Sequence, residues 1–361
     1  MHRRTFRAMS IALTLTVGAF GVAACGSDSG SGGGGGSSAT TDTAAPQAKK
    51  IKVGLVTDIG GLNDRSFNAL ANKGLQDSVK QLGVQGRVLI SKSNADYVPN
   101  LTTLAQQKYD LVIGVGFLMA EAVNTVASKF PQNNFAIVDF SQAAMKSKPK
   151  NVQGLLFKEQ EAGYLAGYLA GLYAKDNGGS ISTVGGQKIP PVDHYIAGFQ
   201  AGAEKANPGV KTLNAYSQDF VDQAKCKEIA LDQISKGSKV VFHVAGQCGL
   251  GALDAAKEKS VQGIGVDADQ SYLGTQVLTS ALKKIDVAVV RTVKSVQDGA
   301  FKGGTDEVNS LQNDGVGIGK ISSTGQKYAA DVQKVQDQIK SGEIANIPDT
   351  VGSGGSRSAA S

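Results

Sequence analysis

Asp58 closes the first apolar run of the chain, and a Gly-Gly turn then leads into Asn63-Asp64-Arg-Ser-Phe67-Asn68. A carboxylate, an aromatic ring and a primary amide this close together are groups that bind. The carboxylate accepts N–H or O–H donors, the ring covers a flat ligand, and the amide both donates and accepts. A plainer role competes for the same residues, with Phe67 stapling the first helix and Asp58 capping a turn. Elsewhere the reactive groups are sparse. His194 and His243 read as structural, because no cysteine or carboxylate cluster gives either a metal-ligand spacing, and neither metal nor cofactor is expected. The chain has no Gly-x-x-x-x-Gly-Lys-Ser/Thr loop, and Arg65 is the one arginine near the motif loops. Phosphorylated ligands are therefore not expected.

These groups need a frame. Ile51-Lys-Val-Gly-Leu-Val56 is nearly continuous, apolar and β-prone, and the order strand, acid, tight turn, helix start opens a parallel α/β sheet. Ligands of such sheets sit at the carboxyl ends of the strands. Short runs rich in Val, Ile and Leu at 88–91, 111–115, 135–138 and 153–156 alternate with amphipathic segments at 66–81, 98–107 and 118–129. That βαβ series predicts a parallel sheet covered on both faces. The pattern then repeats, with helices at 159–175, 192–206, 221–235 and 249–259 and strands at 180–184, 210–216, 239–244 and 262–266. A strand at 275–280, a helix at 283–301, a strand at 316–319 and a helix at 325–341 complete the pattern. The self-similarity lies between halves; there is no short-period repeat.

The first residues are not fold. Arg3, Arg4 and Arg7 precede an apolar stretch from Met9 to Val22, which Val22-Ala-Ala-Cys25 closes. Residues 1–24 read as a secretory signal, too short and wrongly flanked for a stable membrane span. Cys25 after two alanines resembles a bacterial lipobox, in which the cysteine is lipidated after cleavage; an ordinary signal peptide with an accidental cysteine is the alternative. Removing three arginines lowers the formal charge from +6 to +3, too small and dispersed to argue for nucleic acid. Residues 25–48 carry the lipid site and a Gly/Ser/Thr/Ala tether reaching about 25–30 Å by random-coil scaling. The first lobe is expected over 49–157, with about 275–302 returning to it. The second is expected over 158–274, with about 303–349, leaving 350–361 as a loose tail. A folded part of this size is more than one core usually covers. Two exported α/β lobes suggest a hinged binding protein with its site in the cleft between them.

At this point the residues resemble a known family. Asp58-Ile-Gly-Gly-Leu-Asn-Asp64-Arg-Ser-Phe67-Asn68, Ile113-Gly-Val-Gly-Phe117, Phe135-Ala-Ile-Val-Asp139, Gly263-Ile-Gly-Val-Asp267-Ala-Asp269-Gln270, Leu278-Thr-Ser-Ala-Leu-Lys283-Lys and Asn313-Asp-Gly-Val-Gly317 appear in order across nearly the whole folded region. They are similar to the basic membrane protein family of lipoproteins, whose best-known members are purine nucleoside receptors of ABC transporters. The resemblance implies a two-lobed type I periplasmic-binding-protein fold, a nucleoside in the cleft, an ABC permease as partner, a membrane held through the lipid, and no catalysis. It implies that Phe67 and Phe220 stack on opposite faces of the base, each contact worth about 1–3 kcal/mol. Asn68 and Asp139 would meet the base edge, Asp267 the ribose hydroxyls and Lys283 the sugar. Asp58 would lie in the site, and Gly246 would let backbone approach the ligand. Each has a plainer alternative: Phe220 a buried helix-entry residue, Asp267 a helix cap with Asp269 as its rival, Lys283 a solvated helix residue with Lys284 as its rival.

Cys226 and Cys248 are the only other cysteines, and an even pair in an exported protein favours a disulfide over two free thiols. Such a bridge would brace the wall carrying Phe220 and Gly246. Other functions on the same fold stay open: a sugar receptor, a sensory or adaptor lipoprotein, or an exported nucleoside hydrolase. A monomer is expected.

Overall fold

The computed structural model describes residues 49–351. The expected signal, Cys25, the tether and nearly all of the expected tail lie outside the described residues. In the first half, β1 (Lys52–Val56), α1 (Phe67–Leu82), β2 (Gln85–Leu89), α2 (Tyr97–Gln106), β3 (Leu111–Val115), α3 (Ala120–Lys129), β4 (Asn134–Val138) and β5 (Val152–Phe157) follow in order. The second half runs through α4 (Glu159–Asn177), β6 (Ser180–Gly185), α5 (Pro190–Ala206), β7 (Thr212–Tyr216), α6 (Gln223–Ser235), β8 (Ser238–Val244), α7 (Gly249–Glu258), β9 (Gln262–Asp267) and β10 (Val277–Lys283). After these come α8 (Ile285–Gln297), β11 (Thr305–Asn309), β12 (Val316–Ile318) and α9 (Ala329–Ser341).

The strands form two six-stranded sheets, ordered β11-β5-β4-β3-β1-β2 and β12-β10-β9-β8-β6-β7. All neighbours are parallel except β12, which runs antiparallel to β10. Position for position, β4 in one sheet corresponds to β9 in the other, β3 to β8 and β1 to β6. Strands such as Leu111–Val115 are buried along their whole length, which is why they read as unbroken apolar runs. Helices cover both faces. One apolar cluster joins Leu55, Leu75 and Val289 to Leu169, Phe199 and Ile339, and smaller clusters back the outer faces around Leu104 and Phe135 and around Val241 and Ala252. Among the described residues no helix is long and apolar enough to cross a membrane.

Three segments cross between the lobes, and here the structure corrects the expected boundaries. The segment returning to the first lobe is 285–309, rather than about 275–302. β10 stays in the second sheet, paired with β9, and the chain leaves only at Lys284. α8 then packs on α1, where Lys73 meets Asp286 at 2.8 Å, and β11 adds an edge strand beside β5. The expected strand at 275–280 therefore extends through Lys283, and Lys283 ends a strand instead of starting a helix. β11 itself, Thr-Asp-Glu-Val-Asn, carries no apolar alternation because an edge strand is held mainly by its backbone pairing. The crossings are tied together: Lys158 N–H donates to Asn309 O at 2.8 Å, Lys284 N–H to Gly315 O at 2.9 Å, and Leu311 N–H to Glu161 Oε2 at 2.7 Å.

Candidate functional site

The carboxyl ends of corresponding strands from the two sheets meet at one cavity of about 600 Å³, open solvent at its mouth included. Asp58 follows β1, Asp139 follows β4, and Asp267 and Lys283 end β9 and β10; Phe67 and Asn68 open α1. Asp58, Phe67, Asn68, Asp139, Phe220, Gly246, Asp267 and Lys283 all line this cavity. Asp269 and Lys284 do not line it. Asp269 instead accepts the Ser271 and Lys320 amides, and Lys284 belongs to the crossing.

The first-lobe wall is built by Asp64 and Asn68. Asp64 accepts the N–H groups of Ser66, Asn68 and Ala69 at 3.1, 2.7 and 3.0 Å, capping α1 and fixing Phe67 at its first position. Asn68 accepts from Asp58 N–H at 2.9 Å and donates to Ile59 O at 3.3 Å, so most of its amide braces the strand-to-helix turn and one N–H remains for a ligand. Asp58 Oδ1 accepts the Tyr97 hydroxyl and the Ile59 amide, while its Oδ2 packs over Gly116. Burial pushes the Asp58 carboxyl up to about 6, against these hydrogen bonds.

The second-lobe wall depends on two glycines. The Phe220 ring lies against Gly186, where a Cβ would stand 2.3 Å from it, and Phe220 O accepts Cys248 N–H at 3.1 Å. Gly246 turns with φ of 54°, in the left-handed region, beside the Phe220 backbone. Cys226 and Cys248 stand below this wall with Cα atoms 5.5 Å apart and sulfurs in contact, the separation a disulfide takes.

Asp139 and Asp267, at equivalent strand ends, have φ of 70° and 61°. Non-glycine residues with positive φ cluster at functional sites, and aspartate tolerates that region better than most. The Asp267 carboxylate accepts Ser66 Oγ–H at 2.6 Å, directly across the cleft, and the Tyr195 hydroxyl at 3.3 Å. Gln270 reaches across beside it to Arg65 O at 3.3 Å. Lys283 is 1% exposed. Its Nζ lies 2.6 Å from Asp139 and 2.8 Å from Glu159, and 5.4 Å from the Phe67 ring centre. Burial alone would lower the ammonium, yet Asp139, Glu159 and Asp267 hold it well above lysine's ordinary value. Burial raises both Asp139 and Asp267, with Lys283 opposing.

Glu159, Ser66, Tyr195 and Gln270 are absent from the sequence-based site. Ser66 lay inside the quoted motif and Gln270 ended another, so position was the available signal; Glu159 looks like any acid at a helix start. His243 is buried against Gln270 at 2.8 Å and pushed down to about 4 by burial, a neutral structural histidine. With four aspartates and one lysine on its wall, the cavity favours a neutral ligand rich in N–H and O–H donors and disfavours phosphate. Among the described residues no three His, Cys, Asp or Glu side chains are grouped to hold a metal ion.

Two α/β lobes joined by three crossings, with a small-molecule cavity between them, define the periplasmic solute-binding class. The family model described as "ABC transporter substrate-binding protein PnrA-like" (Bmp) matches residues 51–350, and the chain belongs to this family. It is 34% identical over 316 residues to the ABC transporter nucleoside-binding protein BmpA of Lactococcus lactis, covering 81% of this chain and 88% of that protein. An uncharacterized lipoprotein of Pyrococcus abyssi is 35% identical over 307 residues, covering 81% of this chain and 74% of that protein. Among solved structures, an ABC transporter solute-binding protein from Aeropyrum pernix superposes with a TM-score of 0.75 at 26% identity, over 82% of this chain and 94% of that one. The family is one of substrate-binding proteins rather than an enzyme class.

Proposed function

We propose that this chain is the membrane-tethered receptor of an ABC importer and captures a purine nucleoside between its lobes. The observation that carries this reading is that Phe67 of one lobe and Phe220 of the other line the same cavity, among carboxylates that accept but do not donate. A purine base has two π-faces and an edge of N–H donors, and a ribose has a diol. Phe67 and Phe220 then take the faces, Asp139 and the remaining N–H of Asn68 the base edge, Asp267 the diol, and Lys283 a sugar oxygen. Asp58 Oδ2 contributes directly or through water, and Gly246 gives the ligand close access to backbone. The Lactococcus relative's name, a nucleoside-binding protein, agrees with this ligand class.

Phe67→Ala removes one face and should weaken guanosine binding by about 1–3 kcal/mol, roughly 5- to 150-fold. Asp267→Asn keeps shape and suits the left-handed backbone, but presents a neutral amide to the ribose. Nucleoside binding should fall by about 1.5–3 kcal/mol while free-base binding hardly changes. Calorimetry with guanosine, inosine, free base and ribose on the parent and both variants checks this. Ribose binding as tightly as any nucleoside would sink the reading in favour of a sugar receptor.

Delivery to a permease follows from the family, and anchoring on the extracytoplasmic face from Cys25 and the lipoprotein relative. Cys226 and Cys248 complete the reading as a disulfide that braces the Phe220 wall. Mass spectrometry of the mature protein from its own membranes should find an acylated Cys25 at the N-terminus. Without reductant it should find no thiol free for labelling at Cys226 or Cys248. An unmodified Cys25 overturns the anchor, and a labelled Cys226 or Cys248 overturns the bridge.

A further inference from the structure

Asp139, Lys283, Glu159 and His194 form an unbroken chain of charged contacts from the cavity toward the surface. Lys283 Nζ lies 2.6 Å from Asp139 Oδ1 and 2.8 Å from Glu159 Oε1, and Glu159 Oε2 lies 3.1 Å from His194 Nδ1. Asp139 and Lys283 line the cavity, whereas Glu159 and His194 stand behind it. The Glu159 side chain is 2% exposed and that of His194 30%, so the histidine is where solvent reaches the chain. The same residues span the crossings between the lobes. Asp139 follows β4 of the first lobe, Lys283 ends β10 at one crossing, Glu159 opens α4 just beyond another, and His194 lies in the first turns of α5.

We propose that Glu159 is a positioning residue for Lys283, and that protonation of His194, felt through Glu159, sets how far the pH can fall before Asp139 loses its charge and the receptor its ligand. This rests on the reading of Asp139 as the acceptor of ligand N–H groups. One ammonium sits among Asp139, Glu159 and Asp267, so the three carboxylates compete for it. Ionised Glu159 makes ionising Asp139 harder. An imidazolium on the far side of Glu159 offsets that charge and makes it easier. Burial would raise Glu159, yet Lys283 and then His194 outweigh it and hold it below its ordinary value. For His194, burial lowers the imidazole, but Glu159 reverses this, with Asp349 adding and Lys283 opposing, so the cation persists above histidine's usual range. The other charges nearby have partners of their own. Asp193 is held by Lys188 and the Tyr216 hydroxyl, and Lys158 pairs with Glu161 at 3.3 Å.

The test measures guanosine binding by calorimetry from about pH 4.5 to 8 on the parent, His194→Gln, Glu159→Gln and the double variant. In ligand-free protein the Asp139 carboxyl carbon is followed by NMR, assigned with Asp139→Asn. His194→Gln should move the acid limb of binding, and the Asp139 titration, up by about half to one pH unit. Glu159→Gln should move both down by a similar amount and weaken binding about 5- to 10-fold at neutral pH, because Lys283 loses its second tether. The double variant should follow Glu159→Gln, since His194 acts through it. Shifts in the same direction for both single variants, or additive shifts in the double, overturn the proposal. A purely structural role for Glu159 would weaken binding without displacing the limb. If Asp139 titrates as expected but affinity does not follow, the pH gate fails and the fault lies in the reading of Asp139 as ligand acceptor. Should Glu159→Gln not fold, His194→Gln alone still decides, because an unmoved limb there also overturns the gate.

Discussion

Lys283→Met should lower the unfolding free energy by about 3–5 kcal/mol, the cost of removing one partner from a buried ion pair. Methionine nearly fills the space of the lysine stem, so lost packing contributes little. What remains is Asp139 and Glu159 facing each other without the ammonium between them, their side chains 4% and 2% exposed, with only His194 beside Glu159 to oppose their charge. Neither reaches enough water to be solvated there, so both are driven toward the protonated form. The sign of the pH dependence follows. A carboxyl whose folded pKa lies above its unfolded value makes the folded state bind more protons, so the stability it contributes is present at low pH and lost as pH rises through the folded pKa. In the parent this applies to Asp139, which is raised, but not to Glu159, which Lys283 and His194 hold down. In the variant Asp139 loses its opposing cation and Glu159 keeps only His194 against its burial, so both shift upward. The deficit relative to the parent should therefore grow between about pH 5 and 8, measured by denaturant unfolding at each pH. Adding Asp139→Asn and Glu159→Gln to Lys283→Met should recover most of the loss, because both carboxylates in contact with the lost ammonium are then neutral. A deficit that stays constant with pH, or that the neutral triple variant fails to relieve, would show that Lys283 acts through packing alone.

Lys283 was expected near the start of a helix, with a solvated role as its plainer reading, and its buried place at the end of β10 shows what a single sequence reveals. Strands buried on both faces, such as Ile51–Val56 and Leu111–Val115, announce themselves as apolar runs, and the acids that end them mark the cleft. Hence Asp58, Asp139 and Asp267 were legible as one group. The lobe boundaries were not, because a crossing is a short link, a single residue at Lys158 and at Lys284, whose role is set by which sheet the flanking strand joins. β10 and α8 read as one continuous strand-helix unit, and only the pairing of Val277–Leu282 with β9 assigns them to different lobes. β11 was invisible for a related reason. Its work is backbone pairing with β5 and the use of Asp306 to hold the Ser141 hydroxyl and the Gln142 amide at 2.5 and 2.7 Å, just after Asp139. A carboxylate acting on a loop more than 160 residues away leaves no local signal.

α4 was legible as a helix but not as what it is. Its glycines at 163, 167 and 171 recur every fourth residue and face α5, so the two backbones touch. Gly167→Ala should therefore destabilise the protein by about 3 kcal/mol, although alanine gains about 1 kcal/mol in helix propensity. The added Cβ would stand 1.9 Å from Phe199 O and 2.6 Å from its carbonyl carbon. Those are backbone atoms inside a helix and cannot rotate away, so α4 and α5 must separate by an ångström or so along their whole contact. The separation opens voids against Leu165, Leu169 and Phe199, all fully buried, which is where most of the cost arises. It also carries a functional consequence. α4 begins with Glu159, and α5 bears His194 and Tyr195, so spreading the pair lengthens the 3.1 Å Glu159–His194 contact and the reach of Tyr195 to Asp267. Guanosine affinity should fall along with stability, although neither helix carries a residue assigned to the base. Gly317→Ala is the control, since a Cβ there meets nothing within 4 Å, and it should change stability by less than about 0.5 kcal/mol. Thermal and denaturant unfolding of both variants, with calorimetry at a temperature where each is folded, separates the two effects. If Gly167→Ala unfolds and binds like Gly317→Ala, the helices tolerate separation and the close approach of α4 and α5 does not position the site.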